Sequence, residues 1–266
     1  MVANRLEQRF FNIVIIGDVV AKSGRLLLAE QLPLICEQHQ INFVIVNGEN
    51  VTHGKSLSYR HYRWLKELGV DVITSGNHIY DRTEVLDYIN QVDSLLRPVN
   101  LAPLLPGPGT LVRRVCGKRI RVTNLVGQIF MDPANNPFAS FESILAHSAP
   151  TDIHIVDFHA ETSSEKLAFA TCYDGKLTAV VGTHTHVPTC DERVLPHGTA
   201  FITDLGMTGN YASVLGVEAQ TIIDRLRLGV KKRFTPAVGP ATLYGVVLQL
   251  DWTTNQVRKF YRIRYV

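Results

Sequence analysis

The apolar residues of this chain fall in short, nearly continuous runs. Ile13-Val14-Ile15-Ile16, Phe43-Val44-Ile45-Val46 and Leu177-Thr178-Ala179-Val180-Val181 are three of them. Runs of this kind, alternating with helical segments, predict a sheet covered by helices. Strands are predicted over Asn12–Gly17, Phe43–Asn47 and Asp71–Thr74, and helices over Gly24–Gln38 (despite Pro33), Ser58–Leu68 and Thr83–Asn90. Gly69 is a helix-stop signal, and Asp81 with Glu84 forms a capping-box-like pattern for the third helix. Pro98 to Gly109 is rich in Pro and Gly and predicts a loop. A hairpin follows, Thr110–Val115 and Arg119–Val126, around Gly117-Lys118. Further along are helices over Phe138–His147, Ser163–Thr171 and Val217–Arg227, the last with its charges on one face. Strands are predicted over Ile153–Asp157, Leu177–Val181 and Ala200–Thr203, Gly206–Gly209 is read as a turn, and Ala241–Leu250 with Gln256–Tyr265 closes as an antiparallel hairpin. The order predicts two packed sheets with helices outside, in one domain spanning 1–266 without repeats or linkers.

Composition narrows the picture. The chain has 266 residues, 45% hydrophobic and 19% charged, which describes a folded protein with a large core. A net charge of +3 is too small to demand nucleic acid or membrane as a partner. The basic clusters Lys231-Lys232-Arg233 and Arg258 to Arg264 are read as solvated faces or strand edges. Met1 to Arg9 is polar, and the apolar run that follows contains Asn12 and Asp18 and lacks a cleavage site, so no signal peptide is expected. No stretch approaches the ~20 apolar residues of a membrane span. Cys36, Cys116, Cys172 and Cys190 form no Cys-x-x-Cys pair, and the expectation is reduced, buried thiols in a cytoplasmic protein.

The candidate chemistry sits where the strands end. Five apolar segments are followed at once by oxygen or imidazole donors: Gly17-Asp18, Gly48-Glu49-Asn50, Gly76-Asn77-His78, Phe158-His159 and Thr183-His184-Thr185-His186. In open α/β sheets the carboxyl ends of strands form the ligand crevice, so these segments are expected to converge. Hard oxygen and imidazole donors without thiolate suit manganese, iron or zinc. Two such ions close together acidify water and clamp a phosphoryl group, which makes the set the makings of a two-metal phosphoesterase.

The order of these motifs resembles the calcineurin-like metallophosphoesterases, and more closely their bacterial YmdB-like branch. Ile16-Gly17-Asp18-Val19-Val20, Asn47-Gly48-Glu49-Asn50, His53-Gly54-Lys55, Gly76-Asn77-His78, Asp157-Phe158-His159-Ala160-Glu161, Gly182 to Val187 and Thr203 to Gly209 carry the resemblance. It implies a four-layer αββα sandwich and hydrolysis of cyclic nucleotides, 2′,3′-cyclic phosphates first, by metal-activated hydroxide attack on phosphorus. Two departures from the wider superfamily stand out: Val20 occupies the place of a usual ligand histidine, and Glu49 that of a usual bridging aspartate. The branch pattern implies that Glu49 bridges and Asn50 fills the vacancy. Asp18, Asn50 and His186 would then hold one metal with Glu49, and Asn77, His159 and His184 the other. Iron or manganese is expected, with zinc as an alternative. His78 would be the general acid or would stabilise the phosphoryl charge.

His53 is a candidate substrate contact, and Glu161 and Asp204 are candidates for orienting metal ligands. His39, His61, His147, His154 and His197 are read as structural. The expected partner is a small cyclic nucleotide or phosphodiester, with RNA a second candidate and no membrane; a homo-oligomer stays open. The alternatives are a phosphomonoesterase such as a nucleotidase, and a metal-bound regulatory protein that acts through RNA or protein binding.

Overall fold

The computed structural model describes residues 9–266; the polar stretch before Arg9 lies outside the described residues. The first half runs β1 (Phe10–Ile16), β2 (Asp18–Val19), α1 (Ala21–Gln38), β3 (Phe43–Asn47), α2 (Tyr59–Glu67), β4 (Val72–Thr74) and α3 (Glu84–Tyr88). The second half runs β5 (Thr110–Val115), β6 (Lys118–Val126), α4 (Pro137–His147), β7 (Ile153–His159), α5 (Ser163–Cys172), β8 (Ala179–Thr183), β9 (Arg193–Val194), β10 (Ala200–Ile202), β11 (Met207–Asn210), α6 (Ala219–Leu228), β12 (Ala241–Asp251) and β13 (Val257–Tyr265). A seven-stranded sheet is ordered β2-β11-β12-β1-β3-β4, with β13 also on β12. A six-stranded sheet is ordered β5-β6-β7-β8-β10-β9.

The unbroken apolar runs are explained by layers. Along β1, successive side chains alternate: Phe11, Ile13 and Ile15 join the core between the sheets, where they meet Ile120, Val122, Ile155 and Val181. Val14 and Ile16 face the other way and pack with Leu28, Leu32 and Ile35 of α1 and Leu65 of α2. On the far side of the second sheet, Val156, Phe158 and Val180 pack with Phe141 of α4 and Phe169 of α5. Both faces of both sheets are therefore covered, which is the expected αββα sandwich. No helix among the described residues is long and apolar enough to cross a membrane.

Parallel pairing puts strand carboxyl ends together. β1, β3 and β4 run parallel in one sheet, and β6, β7, β8 and β10 in the other.

The structure corrects several local expectations. The predicted turn at Gly206–Gly209 lies largely in β11, which pairs in parallel with Asp18 and Val19 and antiparallel with Thr242 and Ala241. Asp81 and Glu84 make no capping box on α3, whose N-cap is Thr83 without a side-chain bond. Asp81 instead accepts from Lys55, and Glu84 accepts from the Tyr59 amide at the start of α2. Helix α1 begins at Ala21, three residues earlier than Gly24, because the Ala21 amide finds an acceptor in the Asn50 carbonyl (3.0 Å). Cys116, Cys172 and Cys190 are exposed rather than buried, and all four cysteines are free.

One buried histidine gives the fold a pH dependence. His154 of β7 lies under α4, its ring 5.4 Å from that of Phe141, and its Nε2 is bonded to Thr123 Oγ1 at 2.9 Å. Burial, with Arg121 nearby, pushes it down to about 3. Below a pH of about 6.5 the unfolded chain takes up a proton that folded His154 refuses. Stability should therefore fall as pH drops from about 6.5 toward 3, by up to about 1.4 kcal/mol per unit for this group. Denaturant melts at pH 7 and pH 5 should show a smaller loss in His154→Gln than in the wild type; equal losses would contradict this.

Candidate metal centre

Every one of the five strand-end segments reaches one place. Asp18 opens β2 directly behind β1, Glu49 and Asn50 follow β3, and Asn77 and His78 follow β4. His159 ends β7, while His184 and His186 follow β8. The seven-stranded sheet thus brings four of the expected ligands and the six-stranded sheet three. The pairing of Met207 with Asp18 fixes the backbone of the first of them.

The contacts are close. His159 Nε2 lies 3.1 Å from Glu49, 3.0 Å from Asn77 Oδ1 and 3.0 Å from His184 Nδ1. Donor atoms of Glu49, His159 and His184 all fall within 4.8 Å of one another. A few ångströms away, His186 Nε2 faces Asn50 Oδ1 at 3.2 Å. Asp18 joins the two groups: one oxygen accepts from the His184 amide (3.2 Å), and the other lies 3.8 Å from His159.

Hydrogen bonds around the cluster decide what points inward. The Thr183 hydroxyl donates to Asp157 Oδ1 at 2.7 Å, so it accepts from His159 Nδ1 at 2.9 Å and leaves the Nε2 lone pair free. His186 Nδ1 meets the Leu215 carbonyl at 3.1 Å, which can only accept, so its Nε2 also carries a lone pair. Glu161 lies 3.2 Å from His184 Nε2, while His184 Nδ1 turns to His159 Nε2 at 3.0 Å. Asn50 Nδ2 donates to the Gly54 carbonyl at 3.2 Å and turns Oδ1 toward His186. With the rings neutral, these contacts set acceptor against acceptor, which a proton or a metal cation between them would relieve. Asp18 Oδ1 needs the same relief, being buried without any hydrogen-bond donor. The residues present fit metal ions of the oxygen-and-nitrogen type.

Electrostatics agrees. Burial disfavours the charged form of Glu49, but the His159 ring, with His78 behind it, outweighs this and holds the carboxyl down. For His159, burial is in turn outweighed by Glu49, Asp18 and Asp157, which push the ring up. Burial pushes Asp18 up to about 6, opposed by His186 and His159. Burial and the neighbouring His159 bring His184 down to about 3, so it stays neutral and able to donate its lone pair.

The loop carrying the last two histidines is strained. His184 has φ 102° and His186 φ 65°, both in the left-handed region at a cost on the order of 1–3 kcal/mol each. Asp204 holds the loop by accepting from the Thr185 amide at 3.1 Å, and it is itself gripped by buried Lys166 at 2.8 Å. Asp204 and Glu161, read from the sequence as candidates for orienting metal ligands, both lie against the loop that carries His184 and His186. Asp157, Thr183 and Lys166 are contributors that sequence analysis did not assign. The first two were visible inside the motifs; Lys166 gave no signal, since a lysine within a helix reads as solvated. Gly76 explains the glycine before Asn77: a Cβ there would lie 2.2 Å from His159 Nε2 and 2.4 Å from Glu49.

Val20, in the place where no ligand was possible, packs with Ala21 and Met207 and supports the chain at Gly216. His78 stands beside the cluster, with its amide bonded to Glu49 at 3.1 Å and its Nδ1 to Asp81 at 3.0 Å. A cleft of about 850 Å³ opens above, with His53, Lys55 and His78 in its lining. His39, His61 and His154 bond to tyrosine, serine and threonine hydroxyls away from the cluster.

A family model described as YmdB-like protein matches residues 14–263. The chain belongs to the YmdB-like family. This YmdB-like chain is 44% identical over 252 residues to the 2′,3′-cyclic-nucleotide 2′-phosphodiesterase of Bacillus subtilis, covering 94% of this chain and 96% of that protein. A solved structure from Mycoplasma pneumoniae, described as a novel phosphatase, superposes with a TM-score of 0.91 at 41% identity, over 97% of this chain and 94% of that one. A putative 5′-nucleotidase from Staphylococcus aureus shares the fold at a TM-score of 0.63 and 15% identity, over 96% of this chain and 54% of that one. The metallophosphoesterase fold implies divalent metal ions, and Glu49, His159 and His184 form a group that could hold one.

Proposed function

We propose that this protein is a metal-dependent phosphodiesterase that opens nucleoside 2′,3′-cyclic phosphates at the 2′ oxygen and leaves the 3′-phosphate. The observation that carries the reading is the set of inward lone pairs on His159, His184, His186 and Asn50 around the carboxylates of Glu49 and Asp18. The Bacillus subtilis relative, similar over nearly the full length, supports the substrate class. Asp18, Asn50 and His186 would hold one ion, Asn77, His159 and His184 the other, and Glu49 would serve both. Iron or manganese suits this donor set first, and zinc is the alternative. When bound, the pair supplies charge neutralisation and water acidified into the neutral range.

The protein does the rest by position. Asp157 and Thr183 keep His159 in one tautomer and the Leu215 carbonyl does so for His186, while Glu161 stands 3.2 Å from His184 Nε2. His78 is held at Nδ1 by Asp81, so that as an imidazolium it has the Nε2 proton to give to the departing 2′ oxygen, or places its positive charge on the phosphoryl group. A five-membered cyclic diester carries one negative charge and ring strain, so one such group is enough.

The test is turnover of 2′,3′-cyclic AMP against a phosphomonoester by protein loaded with manganese, iron or zinc. The diester should be preferred, with adenosine 3′-phosphate as product. Exclusive turnover of the monoester would favour the second reading, to which the Mycoplasma pneumoniae phosphatase points. His78→Ala should lower kcat by about 10²–10⁴-fold while the metal content holds.

A further inference from the structure

The cleft above the cluster has two unlike sides. Its floor is polar, made of Glu49, Asn50, His78, His184 and His186. Its other wall comes from the segment between Val214 and Pro236, which contributes apolar Val217, Ile222 and Phe234 beside the cations Arg225, Lys232 and Arg233. The cations suit a phosphodiester anion, but the apolar side chains offer it nothing.

This segment is a strap laid over the site. It is anchored at its two ends by the Glu218 amide on the Thr235 carbonyl (2.9 Å) and the Ala237 amide on the Gly216 carbonyl (2.8 Å). Gly216 sits on Val20 so closely that a Cβ there would lie 2.7 Å from the valine methyl. Through the Leu215 carbonyl the strap also holds His186. Helix α6, which spans the strap, has no buried residue, so packing within the fold does not explain its apolar side chains.

Phe234 is the informative residue, because it lines the cleft beside Arg225 while remaining 39% exposed. The Arg225 guanidinium lies 4.9 Å from the ring centre, over one face, and so fixes the ring. A flat ring braced by an arginine in a cleft is a stacking platform for a nucleobase. The anionic end of a nucleoside cyclic phosphate belongs on the polar floor, and its base belongs on the apolar wall.

Resting on the phosphodiesterase reading above, we propose that the strap from Val214 to Pro236 is a nucleobase subsite in which Phe234, braced by Arg225, stacks on the base and sets the preference for nucleosides over base-free diesters. Stacking is tolerant of base identity, because every base has a π face. The subsite therefore selects nucleosides as a class.

The test compares kcat/KM for 2′,3′-cyclic AMP with that for glycerol 1,2-cyclic phosphate, a diester without a base. In Phe234→Ala the ratio should fall on the order of 5- to 100-fold, through KM, and Phe234→Trp should restore it. An unchanged ratio in Phe234→Ala overturns the subsite. Calorimetric titration of metal-stripped protein with adenosine 3′-monophosphate reads the same contact without turnover, and Phe234→Ala should bind more weakly. If the wild type hydrolyses neither diester, the phosphodiesterase reading fails and the titration alone decides the subsite. Equal binding by both proteins, including none by either, then overturns it.

Discussion

Replacing Glu49 by glutamine should remove activity almost entirely while the protein stays folded. Glu49 is 1% exposed, and its carboxylate is the negative charge that His159 and the His78 amide converge on. Glutamine keeps the shape but presents a neutral amide to a site organised around a cation. Residues that merely support a metal ligand are worth about 10–100-fold in metal affinity or activity, so loss of a proposed ligand carboxylate should lower kcat/KM by at least about 10²-fold. The loss should appear in metal content too, because Glu49 is proposed to serve both ions. His159 has a way out: without Glu49 beside it, burial makes the neutral ring the stable form, so the core is not left with a stranded charge. Turnover and metal content should be measured on the same preparation, and a variant with full metal content and full activity would remove Glu49 from the account.

Gly76→Ala should be nearly as damaging, through geometry alone. The added Cβ would fall 2.2 Å from His159 Nε2, 2.3 Å from His159 Cδ2 and 2.4 Å from Glu49, and no real contact is that short. Neither neighbour can yield freely: His159 is pinned by Thr183, and both side chains are buried. Overpacking of this kind costs about 1–3 kcal/mol of stability. The larger effect is on the site, since a misplacement of about 1 Å is worth on the order of 10²-fold in rate. The expected result is a folded protein with a lowered melting temperature and kcat/KM reduced at least about 10²-fold. Wild-type turnover would show that His159 and Glu49 need not approach each other as closely as they do here.

The ligand cluster was readable in the sequence because its residues directly follow apolar runs. Asp18, Glu49, Asn50, Asn77, His159, His184 and His186 all lie within three residues of a strand end, and parallel pairing brings such ends together. What was hidden depends on tertiary partners. Thr208-Gly209-Asn210 has the composition of a turn and becomes strand only because Asp18-Val19 and the start of β12 offer it hydrogen bonds. Asp81 looked like a helix cap, but Lys55 and His78 take its carboxylate from elsewhere in the chain. Lys166 is buried against Asp204, a partner 38 residues away that no local pattern announces. The basic tail behaves as an edge, with Arg258 and Arg262 paired to Asp251 and Glu192. The cluster at Lys231 to Arg233 is different, because Lys232 and Arg233 line the cleft.

The central claim is that the convergent cluster is a two-metal centre for hydrolysing cyclic nucleotides. Metal analysis and turnover of 2′,3′-cyclic AMP on one preparation test it most directly, before and after chelation and after reloading with manganese, iron or zinc. The account predicts two ions per chain, activity lost on stripping and restored on reloading, and adenosine 3′-phosphate as the product. Activity that survives complete removal of metal, or no turnover with any of the three metals at full occupancy, would contradict it.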